Sequence, residues 1–64
     1  MCLAKVFTYK KGEEDRFLID GISHIDSNDE EVRLTSLLGD QTVLHGKVAT
    51  MNLVNNIVRV ELEQ

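Results

Sequence analysis

The chain has 64 residues, 42% of them apolar and 28% charged, with a formal net charge of −4. That length allows one domain, residues 1–64, and the composition is that of a folding chain rather than a disordered one. The acidic balance disfavours nucleic acid and anionic membranes as partners, and no apolar run approaches the roughly 18 residues of a membrane-spanning helix.

Chains below roughly 70–80 residues usually depend on disulfides, a metal or oligomerisation for stability. The single cysteine, Cys2, cannot close an internal disulfide, which leaves the other two routes. A lone cysteine, with no charged stretch leading into an apolar one, points to the cytoplasm.

The dominant hydrophobic period is two, β-branched residues are plentiful and proline is absent. Residues 3–10 alternate, with Ala4, Val6 and Thr8 on one face and Leu3, Phe7 and Tyr9 on the other. Lys10-Lys11-Gly12-Glu13-Glu14 reads as a polar turn. Arg16 to Asp20 is a short strand, after which Gly21 marks a bulge or tight bend, since Ile22 and Ile25 break strict alternation. Ser27-Asn28-Asp29 is the next turn. Residues 31–38 alternate with Val32, Leu34 and Leu38 inward and Arg33 and Thr35 outward. Gly39-Asp40 suits a hairpin turn. Gln41 to His45 is a strand that Gly46 breaks, and Val48 to Val54 is another, with Met51 expected to fill the core. Asn55-Asn56 reads as a tight turn before residues 57–62, which place Val58, Val60 and Leu62 on one face. The expected fold is all-β, a small antiparallel barrel or strongly twisted sheet of six to seven short strands.

The start of the chain carries the chemistry. Cys2 stands one residue from the amino terminus and directly before the first strand. A thiol held at a strand edge, beside an amine and an unpaired amide, is a potential metal chelate. Read alone, Cys2 is more simply a small apolar residue, half-buried beside Val6.

Several stretches resemble the CooT family of small nickel-binding proteins, some members of which are labelled predicted RNA-binding proteins. They are Met1-Cys2-Leu3-Ala4-Lys5-Val6, the turn Gly12-Glu13-Glu14, the run from Val32 to Asp40, His45-Gly46-Lys47-Val48 and Ile57-Val58-Arg59-Val60-Glu61. Cysteine at position two in so short a chain is the specific signal. The resemblance implies a compact all-β protomer, a homodimer, and a Ni(II) ion captured through Cys2. It also implies a link to maturation of a nickel enzyme such as carbon monoxide dehydrogenase, and a role without catalysis of its own. The family often places a basic residue or histidine where this chain has Asn55-Asn56, so nothing metal-related carries over there.

Ni(II) with sulfur and nitrogen donors often takes square-planar geometry. The Cys2 thiolate, the Cys2 backbone nitrogen and the Met1 amine would close two adjoining chelate rings in one plane. A two-fold axis near Cys2 would bring two thiolates together, giving one Ni(II) per dimer from a symmetric sulfur and nitrogen set.

Other candidates are weaker. His24 and His45 sit at no recognised ligand spacing with Cys2 or with each other. Ser23, His24 and Asp26 carry the letters of a hydrolytic triad, but on a strand Ser23 points away from the other two, and no nucleophile elbow is present. Lys5, Lys10 and Lys11 interleaved with Phe7 and Tyr9 suggest an alternative, an RNA-binding or protein-interaction module on a small β-barrel. The following Glu13, Glu14 and Asp15 offset that basic charge.

Overall fold

Val32, Leu34, Val58 and Val60 recur at every second position of two segments, and in the structure all four point inward and are buried. The structure is a computed structural model and describes residues 3–63. Five strands follow one another: β1 (Ala4–Tyr9), β2 (Arg16–Ser27), β3 (Glu31–Ser36), β4 (Gln41–Asn52) and β5 (Ile57–Leu62). They form a closed barrel in chain order. Four neighbouring pairs are antiparallel, and β5 returns to pair with β1 in parallel, Lys5 opposite Ile57 and Tyr9 opposite Glu61. Closure leaves no full-length strand edge exposed to another chain.

The expected all-β barrel is therefore present, with fewer strands than expected. The difference lies at two glycines. Gly21 does not end a strand: β2 runs through it, pairing with β1 up to Ile22 and with β3 from Ile22 to Ser27. Gly21 takes φ +69°, and the register shifts on both ladders nearby, so the expected bulge is there. Gly46 likewise lies inside β4, which pairs with β3 from Gln41 to His45 and with β5 from Gly46 to Asn52. A Cβ at residue 46 would collide with the backbone carbonyl oxygen of Glu61. Both glycines are corners at which one long strand changes partner.

The core is Val6, Ile22, Val32, Leu34, Val58 and Val60, with Ala4, Ile19, Ile25, Leu44, Val48 and Leu62 packed against it. Two inward assignments are corrected. Leu38 lies beyond the end of β3, in the turn before β4, and is 89% exposed. Met51 lies on β4 but is 53% exposed instead of filling the core. Leu38 lies where the ladder has stopped, whereas Met51 is still paired with Val58 but lines the open groove at the barrel mouth, where nothing covers it among the described residues.

The turns use local polar chemistry. Asn28 Oδ1 accepts from the amides of Glu30 and Glu31 at 2.8 and 2.9 Å, as the Ser27-Asn28-Asp29 signal suggested. The β4–β5 connection is longer than a two-residue hairpin and spans residues 53–56. Asn56 takes φ +56°, the left-handed conformation expected of the Asn-Asn pair.

Candidate functional site

Cys2 and Met1, the residues expected to hold a metal, lie outside the described residues. The structure does describe what they are attached to. β1 begins at Ala4, paired with Ile22 of β2, and the Lys5 amide donates to the Asn56 carbonyl at 2.8 Å. The first residues of β1 are thus fastened on both sides. Ala4 lines a groove of about 160 Å³ at this mouth of the barrel. Ile22 to Ile25 form one wall, Met51 to Leu53 the other, and Asn56 and Val58 complete the lining. Drug-sized ligands usually occupy about 300 Å³ or more, so the groove suits at most a small group.

His24 is in that groove, and its Nε2 lies 3.2 Å from Asp26 Oδ2. Both side chains are largely exposed. Ser23 lines the same groove, but its hydroxyl is engaged by β3. Its hydroxyl lies 3.3 Å from each of the Thr35 and Ser36 carbonyl oxygens and donates to them. The three triad letters therefore share no geometry for nucleophilic attack, as strand alternation anticipated. His45 stands apart from His24. His24 pairs with Thr35 and His45 with Glu31, four residues away along β3, or about 13 Å. Among the described residues, no three His, Cys, Asp or Glu side chains gather as a metal site.

The opposite mouth is lined by Thr8, Tyr9, Lys10, Glu13, Glu14, Arg16 and Leu62. Here the aromatic residues of β1 are already occupied. The Phe7 and Phe17 rings meet edge to face, with centroids 5.6 Å apart and planes at 74°. The Tyr9 ring carries the Arg59 guanidinium 4.6 Å from its centroid, and its hydroxyl donates to Glu61 Oε1 at 3.2 Å. Partial desolvation, then the Glu61 carboxylate, push the Tyr9 phenol above its usual value. Hydrogen bonding to Asp15 raises Arg59 above its already high one. A base-stacking platform needs free ring faces, so this arrangement counts against the RNA-binding alternative.

Against known proteins, residues 1–61 match the family described as CO dehydrogenase accessory protein CooT. The chain belongs to that family. A solved structure described as a CooT from Carboxydothermus hydrogenoformans superposes with a TM-score of 0.81 at 21% identity, covering 98% of this chain and 100% of that one. At that identity the likeness shows a shared fold. No curated protein matches. Sequence reasoning missed the apolar pair Leu53-Val54 at the rim of the Ala4 mouth. The available signal was two consecutive large apolar residues directly before Asn55-Asn56, where a turn tip is normally polar.

Proposed function

We propose that this protein carries Ni(II) for a nickel enzyme of the carbon monoxide dehydrogenase class, in the cytoplasm and without catalysing a reaction itself. The observation that carries the reading is the family match, which begins at residue 1 and so includes Met1 and Cys2. In this reading two chains meet near Cys2 and hold one Ni(II) between them. Each supplies a thiolate and the Cys2 backbone nitrogen, with the Met1 amine as a further donor.

The barrel supports this as a platform. A metal chelate at a chain end is precise only if the chain behind it is held still. Ala4 and Lys5 are tied to β2 and to the β4–β5 turn. Cys2 precedes Ala4 by two residues, and two trans peptide units span at most about 7 Å. Thiolate and deprotonated nitrogen donors suit Ni(II) in a square plane, and the thiol proton is lost as metal binds.

Titration with Ni(II) should saturate at one ion per two chains and give thiolate charge-transfer absorption. Cys2→Ser should abolish the absorption while leaving the far-UV spectrum unchanged. Full nickel binding by Cys2→Ser would end the proposal.

A further inference from the structure

Of the side chains lining the Ala4 groove, His24 alone has a nitrogen lone pair to offer a metal. Its Nε2 lies 3.2 Å from Asp26 Oδ2. The two residues stand two apart on β2 and so share a face of the strand. A carboxylate at that distance favours the tautomer with its proton on Nε2, which leaves the lone pair of the neutral ring on Nδ1. Metal-binding histidines are usually set this way, with one ring nitrogen toward a carboxylate and the other toward the metal. Packing does not account for the residue: the His24 side chain is 63% exposed and that of Asp26 is 71% exposed.

The β1–β2 ladder places His24 beside the start of the chain. Ala4 pairs with Ile22 in antiparallel register. Cys2 stands two residues before Ala4, and His24 two residues after Ile22. On antiparallel strands those two steps lead the same way, out of the ladder at this mouth. Cys2 is tethered to Ala4 by two peptide units, a reach of at most about 7 Å. Ala4 and His24 line one groove. His45 has no such relation to the chain start: it pairs with Glu31 on β3 and does not line the groove.

A carrier has to take up its ion and give it up again. Four donors in a square plane close around nickel, and such a set exchanges its ion by admitting a further donor before an old one leaves. An exposed imidazole beside the chelate is placed to be that donor. We propose that His24 is a transfer ligand, whose Nδ1 takes up nickel at the groove, passes it to the Cys2 thiolates and binds it again on release. The step is ligand exchange without electron transfer. A nickel–water bond gives way to the nickel–Nδ1 bond, the Cys2 sulfur then replaces Nδ1, and the thiol proton goes to water. The proposal rests on the nickel-carrier reading and adds to it a residue outside the chelate.

Stopped-flow absorbance of the thiolate bands measures loading from aqueous Ni(II) and release to excess EDTA. The chains compared are wild type, His24→Asn, His24→Gln and His45→Asn, with chelator competition giving the affinity of each. A donor used only in passing lowers the barrier in both directions and leaves the equilibrium where it was. His24→Asn should therefore slow loading and release together, by roughly tenfold or more, at unchanged stoichiometry and affinity. His45→Asn should match wild type. If asparagine alters the far-UV spectrum, His24→Gln carries the same comparison. Equal rates for wild type and the His24 variants overturn the proposal. So does a loss of affinity at an unchanged loading rate, which would make His24 a resident ligand. Failure of the nickel reading is distinct: wild type itself then gives no thiolate absorption with Ni(II), and the transfer role falls with it.

Discussion

Arg59 reaches from β5 to Asp15, 44 residues earlier, and grips it with two hydrogen bonds. Nε donates to Oδ2 at 2.9 Å and Nη2 to Oδ1 at 3.1 Å, while the same guanidinium covers the Tyr9 ring. One side chain thus ties the β1–β2 loop to β5 and closes over β1, beside the parallel seam that completes the barrel. The fork geometry belongs to arginine and lysine cannot reproduce it. Arg59→Lys should therefore keep the fold and the charge but loosen the loop. Faster amide exchange at residues 13–15, with a small drop in Tm, is the expected result. Unchanged exchange there would show that the loop is held by its own turn bond from the Glu13 amide to the Lys10 carbonyl.

Tyr9 contributes to the loss of stability at alkaline pH. Desolvation first, and the Glu61 carboxylate second, raise its value in the folded chain. The unfolded chain therefore loses this proton first as pH rises. Stability from Tyr9 is complete below its ordinary value of about 10 and is lost as pH rises through the higher folded value. Thermal melts from about pH 8 to about pH 11 should show a steeper alkaline fall for wild type than for Tyr9→Phe. Parallel curves would rule Tyr9 out as the responsible group.

The two corner glycines should fail for different reasons. Gly21 has open space around its missing Cβ but a φ of +69°. Alanine there suffers only the left-handed backbone penalty, about 1–2 kcal/mol. Gly46 has an ordinary φ but no room, with the Glu61 carbonyl carbon and Leu62 Cα both 3.0 Å from a built Cβ and the Glu61 oxygen closer still. Backbone cannot step aside as a flexible side chain does. Urea unfolding should show Gly46→Ala losing clearly more stability than Gly21→Ala, and the reverse order would mean that β4 and β5 separate easily at this crossing.

Nickel affinity should rise with pH. Each thiol must lose its proton to bind, and an ordinary thiol titrates near pH 8.5. If two Cys2 thiolates hold the ion, their deprotonation alone makes apparent affinity climb by up to about a hundredfold per pH unit below that value, and proton loss from the coordinating nitrogens steepens the rise and carries it above that value. Competition titrations against a chelator of known nickel affinity measure the slope. A flat profile would mean that the Cys2 thiolates are not the donors.

Much of this barrel is legible in the residues. Val32 and Leu34, and Val58 and Val60, alternate with polar neighbours, and all four are enclosed. Asn28 and Asn56 mark turns that form through their own local bonds and conformation. Leu38 is exposed because alternation stops with the β3 ladder, and Met51 because residue type alone says nothing of its place at the open mouth of the barrel. The expectation that Cys2 binds a metal rests on residue type and position alone, and Cys2 lies outside the described residues.

The order of residues by itself determined an all-β chain, its inward faces and its family, because pairing period, turn chemistry and a cysteine at position two are local properties. Tertiary structure alone decided that Gly21 and Gly46 are corners within long strands, that β5 lies parallel to β1, and that Arg59 finds Asp15. It also decided that Leu53 and Val54 face water at the mouth where β1 begins. Each of these depends on which distant segment lies alongside, and a strand carries no record of its partner until the barrel closes.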